Sequence, residues 1–349
     1  MASNRIVDLR SDTVTLPTPA MREAMSSAPL GDDVYGEDPS VNHLERIAAE
    51  RLGKEAGLFV PSGTMANLIC LLSHCRRGDE AIMGNLAHTF LFEAGGSAAV
   101  GGIHPRTVAN QPDGTLALKD VEAAIRDPGN VHFPRTSLIC LENTHNRCGG
   151  AVLTVEYMAG MRALVNEHGL AIHLDGARIF NAAVALGLDV SLLAQHADSV
   201  SFCLSKGLSA PVGSLVCGAS EFIREARRQR KLLGGGMRQV GVLAAAGIVA
   251  LEQMVDRLAD DHANAKRLAA GLARLPLIAL DVARVQTNIV IFDLMPGGPS
   301  PTDLVGELSA RHIKISTIGG HRFRAVTHRG IETEDIEYTV SIFQEMLNR

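Results

Sequence analysis

Short apolar runs alternate with longer stretches whose apolar positions recur every three or four residues through most of the chain. That alternation predicts an α/β fold with a mainly parallel central sheet flanked by helices. In VNHLERIAAERLG (41–53), Val41, Leu44, Ile47, Ala48 and Leu52 fall on one helical face, and Gly53 closes the helix. EAGLFVPSGTMAN then reads strand, turn, helix. EAIMGN, GIHPRTVAN, SLICLEN, LAIHLDGA, SVSFCLSKG and GSLVCGA, starting at 80, 102, 137, 170, 199 and 213, read as strands apolar enough to be covered on both faces. Helical patterns at 154–169 and 222–233 lie between them or follow them. A long helical pattern spans 239–275 with a break expected near Asp260, where the texture changes. Beyond it TNIVIFDL, IKISTI and RFRAVTH predict strands, and SPTDLVGELSARH and EDIEYTVSIFQEML amphipathic helices, which together make a small αβ lobe. The expected organisation is an N-terminal arm (1–16), a large domain (17–260) and a small C-terminal domain (261–349).

Composition adds exclusions more than direction. At 349 residues the chain exceeds what one core usually serves, in keeping with two unequal units. With 46% apolar and 20% charged residues it is a globular chain and not a disordered one. The net charge of -5 and the lack of a basic block argue against nucleic acid or an anionic membrane as partner, which leaves small molecules. The six cysteines form no CxxC pair, so neither zinc nor redox chemistry is expected; they read as reduced and mostly buried. MASNRIVDLRSD lacks the apolar centre of a signal peptide, and no stretch is long enough to span a bilayer, so a cytoplasmic setting is expected.

Two strand ends carry candidate chemistry. Asp175 closes the apolar run in HLDGAR (173–178), and Lys206 closes the one in SFCLSKG (201–207). Ligands of open α/β sheets sit outside the carboxyl ends of the strands, so both side chains would face one crevice. Pyridoxal phosphate needs that layout: an amine to bond its aldehyde and a carboxylate to keep its ring nitrogen protonated. The pair could equally be a structural ion pair or two solvated strand ends. In PSGTMAN (61–67), Gly63 admits close backbone approach, Thr64 adds a hydroxyl, and the first helical N–H groups favour a phosphate. Ser62 or Thr64 serving only as a helix cap would explain the same residues. The chain has no Walker loop and no GxGxxG after its first strand, so a single-phosphate cofactor fits better than a nucleotide.

The blocks VDLRSDTVTLPTPAM, GDDVYGEDPSVNHLE, PSGTMAN, LENTHN, HLDGARIFNAA, SKGLSAPVGS, GGGMRQVGVLAAAG and RAVTH run in order along nearly the whole chain. Together they resemble the low-specificity L-threonine aldolase family, within the fold-type I pyridoxal phosphate enzymes and the β-eliminating lyase group. The resemblance implies that Lys206 is the cofactor-bonding lysine, Asp175 the partner of the ring nitrogen and Arg178 a contact to the ring's phenolic oxygen. Gly63 and Thr64 would hold the phosphate. His88 would stack on the ring and His145 would lie near the substrate's β-hydroxyl, either being a candidate base. Ser11 and Arg324 would bind the substrate carboxylate, a task suited to a guanidinium, with Tyr35 near the substrate. Lys231 and Arg238 would reach the site from a partner subunit, which implies a homo-oligomer, dimer or dimer of dimers, with its active site at the interface. Read without the resemblance, His88 and His145 could be a helix start and a polar turn, and Lys231 and Arg238 solvated positions.

Two positions depart from the family pattern: Phe92 stands where relatives commonly have tyrosine, and Ser209 where KGLGAPVG has glycine. The implied reaction is retro-aldol cleavage of a β-hydroxy-α-amino acid to glycine and an aldehyde. β-Elimination or transamination on another amino acid with the same cofactor, and a noncatalytic use of the same scaffold, are the rivals.

Overall fold

The structure, a computed structural model, describes residues 5–347. A short strand, β1 (Val7–Asp8), precedes seven that build the central sheet: β2 (Ala56–Val60), β3 (Glu80–Gly84), β4 (His104–Val108), β5 (Thr136–Glu142), β6 (Ala171–Asp175), β7 (Ser199–Cys203) and β8 (Ser214–Gly218). Five more follow: β9 (Ile278–Ala279), β10 (Ile289–Leu294), β11 (Ile313–Lys314), β12 (Ser316–Thr317) and β13 (Arg322–Val326). Strands β3 to β7 pair in parallel, whereas β8 runs antiparallel to both of its neighbours, β2 and β7. The cause is local. The link from Cys203 to Ser214 holds no helix and is too short for the crossover that a parallel neighbour requires.

Alternate residues of these strands feed opposite faces, because successive side chains of a strand point to opposite sides. Ile82, Ile139, Leu141, Ile172 and Leu174 join the largest cluster, together with Val41, Leu44 and Leu52 from the helix Pro39–Leu52. Ala81, Met83, Leu138 and Cys140 enter a cluster on the other face. Leu58 and Val60 meet Ile69 and Ile223 in a third cluster, while Phe59 between them points to the first. Full burial of each such side chain contributes about 1.5–3 kcal/mol.

The C-terminal unit has a core of its own, in which Phe292, Phe323 and Phe343 meet. It rests on an antiparallel sheet, β12-β13-β10-β9, and on the helices Leu258–Leu272, Pro301–Ala310 and Thr333–Leu347. Val7 and Leu9 belong to this core; β1 pairs in parallel with β11, and Leu9 accepts the Val326 N–H at 2.8 Å. The segment Val7–Leu9 is therefore part of the C-terminal unit.

One expectation is corrected. The helical break expected near Asp260 lies at residues 254–257, between the helices Gly241–Gln253 and Leu258–Leu272. Asp260 and Asp261 sit in the first turn of the second helix, where the helix dipole favours acids. Leu258 is fully buried and packs against Gly207, at the foot of the loop that carries Lys206.

Candidate active site

The carboxyl ends of β2, β5, β6 and β7 open on one cavity of about 300 Å³. Asp175 ends β6, pairs in register with Glu142 and Ser201 on the adjacent strands, and is 3% exposed. Its Oδ2 accepts from Asn67 Nδ2 at 2.9 Å and its Oδ1 from the Ala177 N–H at 3.1 Å. Lys206 follows β7 and faces the same cavity. Its carbonyl accepts the Thr15 hydroxyl at 2.9 Å, while its ammonium has no hydrogen-bond or ion-pair partner among the described residues.

At the end of β2 the chain turns into the helix Gly63–His74. Ser62 caps it by accepting the Met65 N–H at 3.2 Å, which leaves the Gly63 and Thr64 N–H groups at the cavity wall without intrahelical acceptors. A Cβ on Gly63 would lie 2.9 Å from Cys203 Sγ, so the cradle admits only glycine without a shift.

Arg178 and Asp12 form a buried two-point ion pair, Nε and Nη2 each 2.7 Å from a carboxylate oxygen, and both line or border the cavity. Burial pushes the Asp12 carboxyl up, but the Arg178 charge and hydrogen bonds outweigh it and hold the carboxyl well below its ordinary range. Arg324, on β13, donates from Nη1 to Asn146 Oδ1 at 2.9 Å and from Nη2 to the Arg10 carbonyl at 3.2 Å; its Nε is buried without a partner. Ser11 stands with it at the cavity mouth. Arg322, one residue pair along, faces outward in a two-point pair with Asp293.

His88 lines the cavity with Nδ1 2.8 Å from Glu93 Oε1, a bond that raises its pKa against the opposing effect of burial. Phe92 is half exposed and outside the cavity lining, its ring 5.7 Å from that of His88. His145 is placed differently. It is 1% exposed, lies outside the cavity lining, has no hydrogen-bond partner on either ring nitrogen, and comes no closer to Glu142 Oε2 than 3.9 Å. Tyr35, Lys231 and Arg238 do not reach the cavity within this chain. Tyr35 is 76% exposed, Lys231 is exposed, and Arg238 pairs with Asp32 at 3.0 Å.

The cavity also contains Asn67, Glu93, Glu142 and, through Arg178, Asp12, none of which was singled out in the sequence. Glu142 accepts the backbone N–H of His88 at 2.7 Å and of Asn146 at 2.8 Å, so one carboxylate fixes two walls. The signal that exposed Asp175, an acid closing an apolar strand, was equally present in SLICLE. Asn67 and Glu93 gave none, because each is a single polar residue on a helix or turn whose neighbour comes from another strand.

An unpartnered ammonium, a buried strand-end carboxylate and a glycine-lined helix N-terminus meeting at one sheet edge define a pyridoxal phosphate enzyme. The donor set fits that group: amine for aldehyde, carboxylate for ring nitrogen, N–H groups and hydroxyls for phosphate. A profile described as "Beta-eliminating lyase" matches residues 8–295. The low-specificity L-threonine aldolase 1 of Arabidopsis thaliana is 50% identical over 98% of this chain and 97% of its own length. The low specificity L-threonine aldolase of Escherichia coli K12 is 48% identical over 99% of this chain and 100% of its own. Among solved structures, a threonine aldolase of Leishmania major superposes with a TM-score of 0.84 at 22% identity, covering 98% of this chain and 99% of that one. A putative L-allo-threonine aldolase of Listeria monocytogenes gives a TM-score of 0.81 at 20% identity, with 98% and 96% covered. The chain belongs to the beta-eliminating lyase family, in its low-specificity L-threonine aldolase branch.

Proposed function

We propose that this chain is a pyridoxal-phosphate-dependent aldehyde-lyase that cleaves L-threonine, L-allo-threonine and related β-hydroxy-α-amino acids to glycine and an aldehyde. The observation that carries the site assignment is the convergence of Lys206 and Asp175 on one cavity from adjacent strands. Gly63 and Thr64 would hold the phosphate, Asp175 the ring nitrogen, Arg178 the phenolic oxygen and Lys206 the aldehyde carbon. When bound, the cofactor supplies a protonated ring that takes up the electron pair released from the Cα–Cβ bond.

The rest is done by the chain's own groups. Arg324, steadied by Asn146 and the Arg10 carbonyl, offers its guanidinium with the Ser11 hydroxyl to the substrate's α-carboxylate. Held there, the substrate presents one bond for cleavage instead of several. Of the two histidines, His88 lines the cavity, and its ring is oriented by Glu93, so His88 is the group placed to take the β-hydroxyl proton. His145 stands behind the wall that Asn146 forms. Phe92, beside His88, offers no hydroxyl.

Tyr35, Lys231 and Arg238 lie outside this chain's own cavity and belong, in this reading, to the site of a second copy. Tyr35 (76% exposed), Leu232 (74%) and Leu16 (68%) give the exposed apolar surface such a copy would cover. No helix among the described residues is long and apolar enough to cross a membrane. A cytoplasmic setting rests on the six cysteines, all free.

The test is to supply the four threonine stereoisomers to the protein with pyridoxal phosphate and measure glycine and acetaldehyde. Both L-isomers are expected to be cleaved and both D-isomers spared. Lys206→Ala is expected to abolish cleavage and the near-visible absorption of the bound cofactor. Failure to cleave either L-isomer would overturn the reading.

A further inference from the structure

Beneath Asp175 lies a chain of buried polar groups that the proposed reaction does not use. Asn67, 2% exposed, donates from Nδ2 to both Asp175 Oδ2 (2.9 Å) and Glu93 Oε1 (2.8 Å). Its Oδ1 accepts the Ser201 hydroxyl at 2.8 Å and lies 3.1 Å from His173 Nε2. His173 Nδ1 is 2.9 Å from Ser199 Oγ, which is 2.8 Å from His74 Nε2.

The bond directions around Asn67 follow from its geometry. Its NH2 group lies against a carboxylate oxygen of both Asp175 and Glu93, where it can donate, and its oxygen faces Ser201 and His173. With that oxygen facing it, His173 bonds Asn67 through a proton on Nε2, which leaves Nδ1 as an acceptor 2.9 Å from the Ser199 hydroxyl. The Ser199 oxygen lies 2.8 Å from His74 Nε2 and is also within hydrogen-bond reach of the Cys70 thiol. Burial holds both histidines at a pKa of about 4, so each is neutral and has one such tautomer available. Asn67 thereby meets four partners with no bonding capacity to spare. The interior turns only amide hydrogens toward Asp175 and Glu93, and neither hydroxyl nor imidazole protons reach them from below.

We propose that Asn67 is a positioning residue that divides one amide between Asp175 and Glu93, holding the first as an acceptor for the cofactor ring and the second as the acceptor for His88. The inference rests on the cofactor reading above but concerns this chain's own wiring. Loss of the amide leaves two buried carboxylates facing each other without a shared donor, which favours protonation of one of them and spoils the acceptor that the ring nitrogen needs.

The full-length protein, labelled in its histidine rings, is examined with pyridoxal phosphate bound and after its removal. The expected result is a neutral Nε2–H tautomer for His173 and His74 at pH 6.5 in both forms, with slowly exchanging Asn67 side-chain amide protons. Asn67→Asp, equal in size but replacing the two amide donors by a third carboxyl group beside Asp175 and Glu93, is expected to weaken pyridoxal phosphate binding about tenfold or more. Ser201→Ala, which removes a donor only on the oxygen side, is expected to change it by about threefold at most. An Nδ1–H or charged His173, rapidly exchanging Asn67 amide protons, or an Asn67→Asp protein that binds the cofactor as tightly as wild type would each overturn the proposal. The tautomer measurement needs no variant, so it decides even if Asn67→Asp fails to fold. A protein with the expected tautomers that cleaves no L-threonine isomer would remove the proposed reaction and leave the Asn67 assignment standing.

Discussion

Ser209 shows how one residue can be at odds with its backbone. It is fully buried at φ +64°, in the left-handed region where a Cβ crowds the following carbonyl, and its hydroxyl reaches only the Gly207 carbonyl at 3.4 Å. This accounts physically for the glycine of the family pattern at that position. Ser209→Gly is expected to stabilise the fold by about 0.5–1 kcal/mol, the relief of strain exceeding the added freedom of the unfolded chain. A higher urea midpoint with unchanged slope would register it. The same residue marks a limit of reading from sequence. The departure from the family pattern was visible in SKGLSAPVG, but its cost depends on a φ angle that no side-chain pattern encodes.

The helix Gly63–His74 and strand β6 were both legible because their apolar positions recur with the right period and their ends carry turn residues. Asp175 and Lys206 were legible for a related reason: a charge that interrupts an apolar run stands out. The His74–Ser199–His173 connection was not, since it joins a helix end to two strands and its members look like ordinary polar residues within each. That connection predicts acid sensitivity. His74 and His173 are neutral when folded, with pKa lowered from 6.5 to about 4 by burial, so the unfolded chain binds more protons below pH 6.5. Their contribution to stability is therefore full above pH 6.5 and falls as the pH drops toward 4, by up to about 1.4 kcal/mol per unit for each histidine, while Asp261, raised by burial from 3.8 to about 6, acts in the opposite sense between those values. Urea unfolding at pH 7, 6 and 5 checks the slope, and replacing His74 and His173 by Gln or Asn is expected to flatten it.

At the scale of the whole molecule, the site is assembled from both units. Asp12 and Ser11 come from the segment that pairs with β11, Arg324 from β13, and the remaining groups from the central sheet. The proposed second copy would extend this assembly with Lys231 and Arg238. If so, Lys206→Ala and Arg238→Ala proteins, each nearly inactive alone, are expected to recover about a quarter of wild-type activity after unfolding and refolding as a mixture, because each mixed pair has one intact site. No recovery would mean that all the needed groups come from one chain. The pairing of Val7 with Ile313 has a further consequence for how the protein is made. During synthesis Ser11 and Asp12 leave the ribosome roughly 300 residues before the strand that seats them, a wait of about 15–60 s at ordinary elongation rates. Until then β1 lacks its partner strand, so the segment that brings Ser11 and Asp12 to the site is held only once the C-terminal unit has been made.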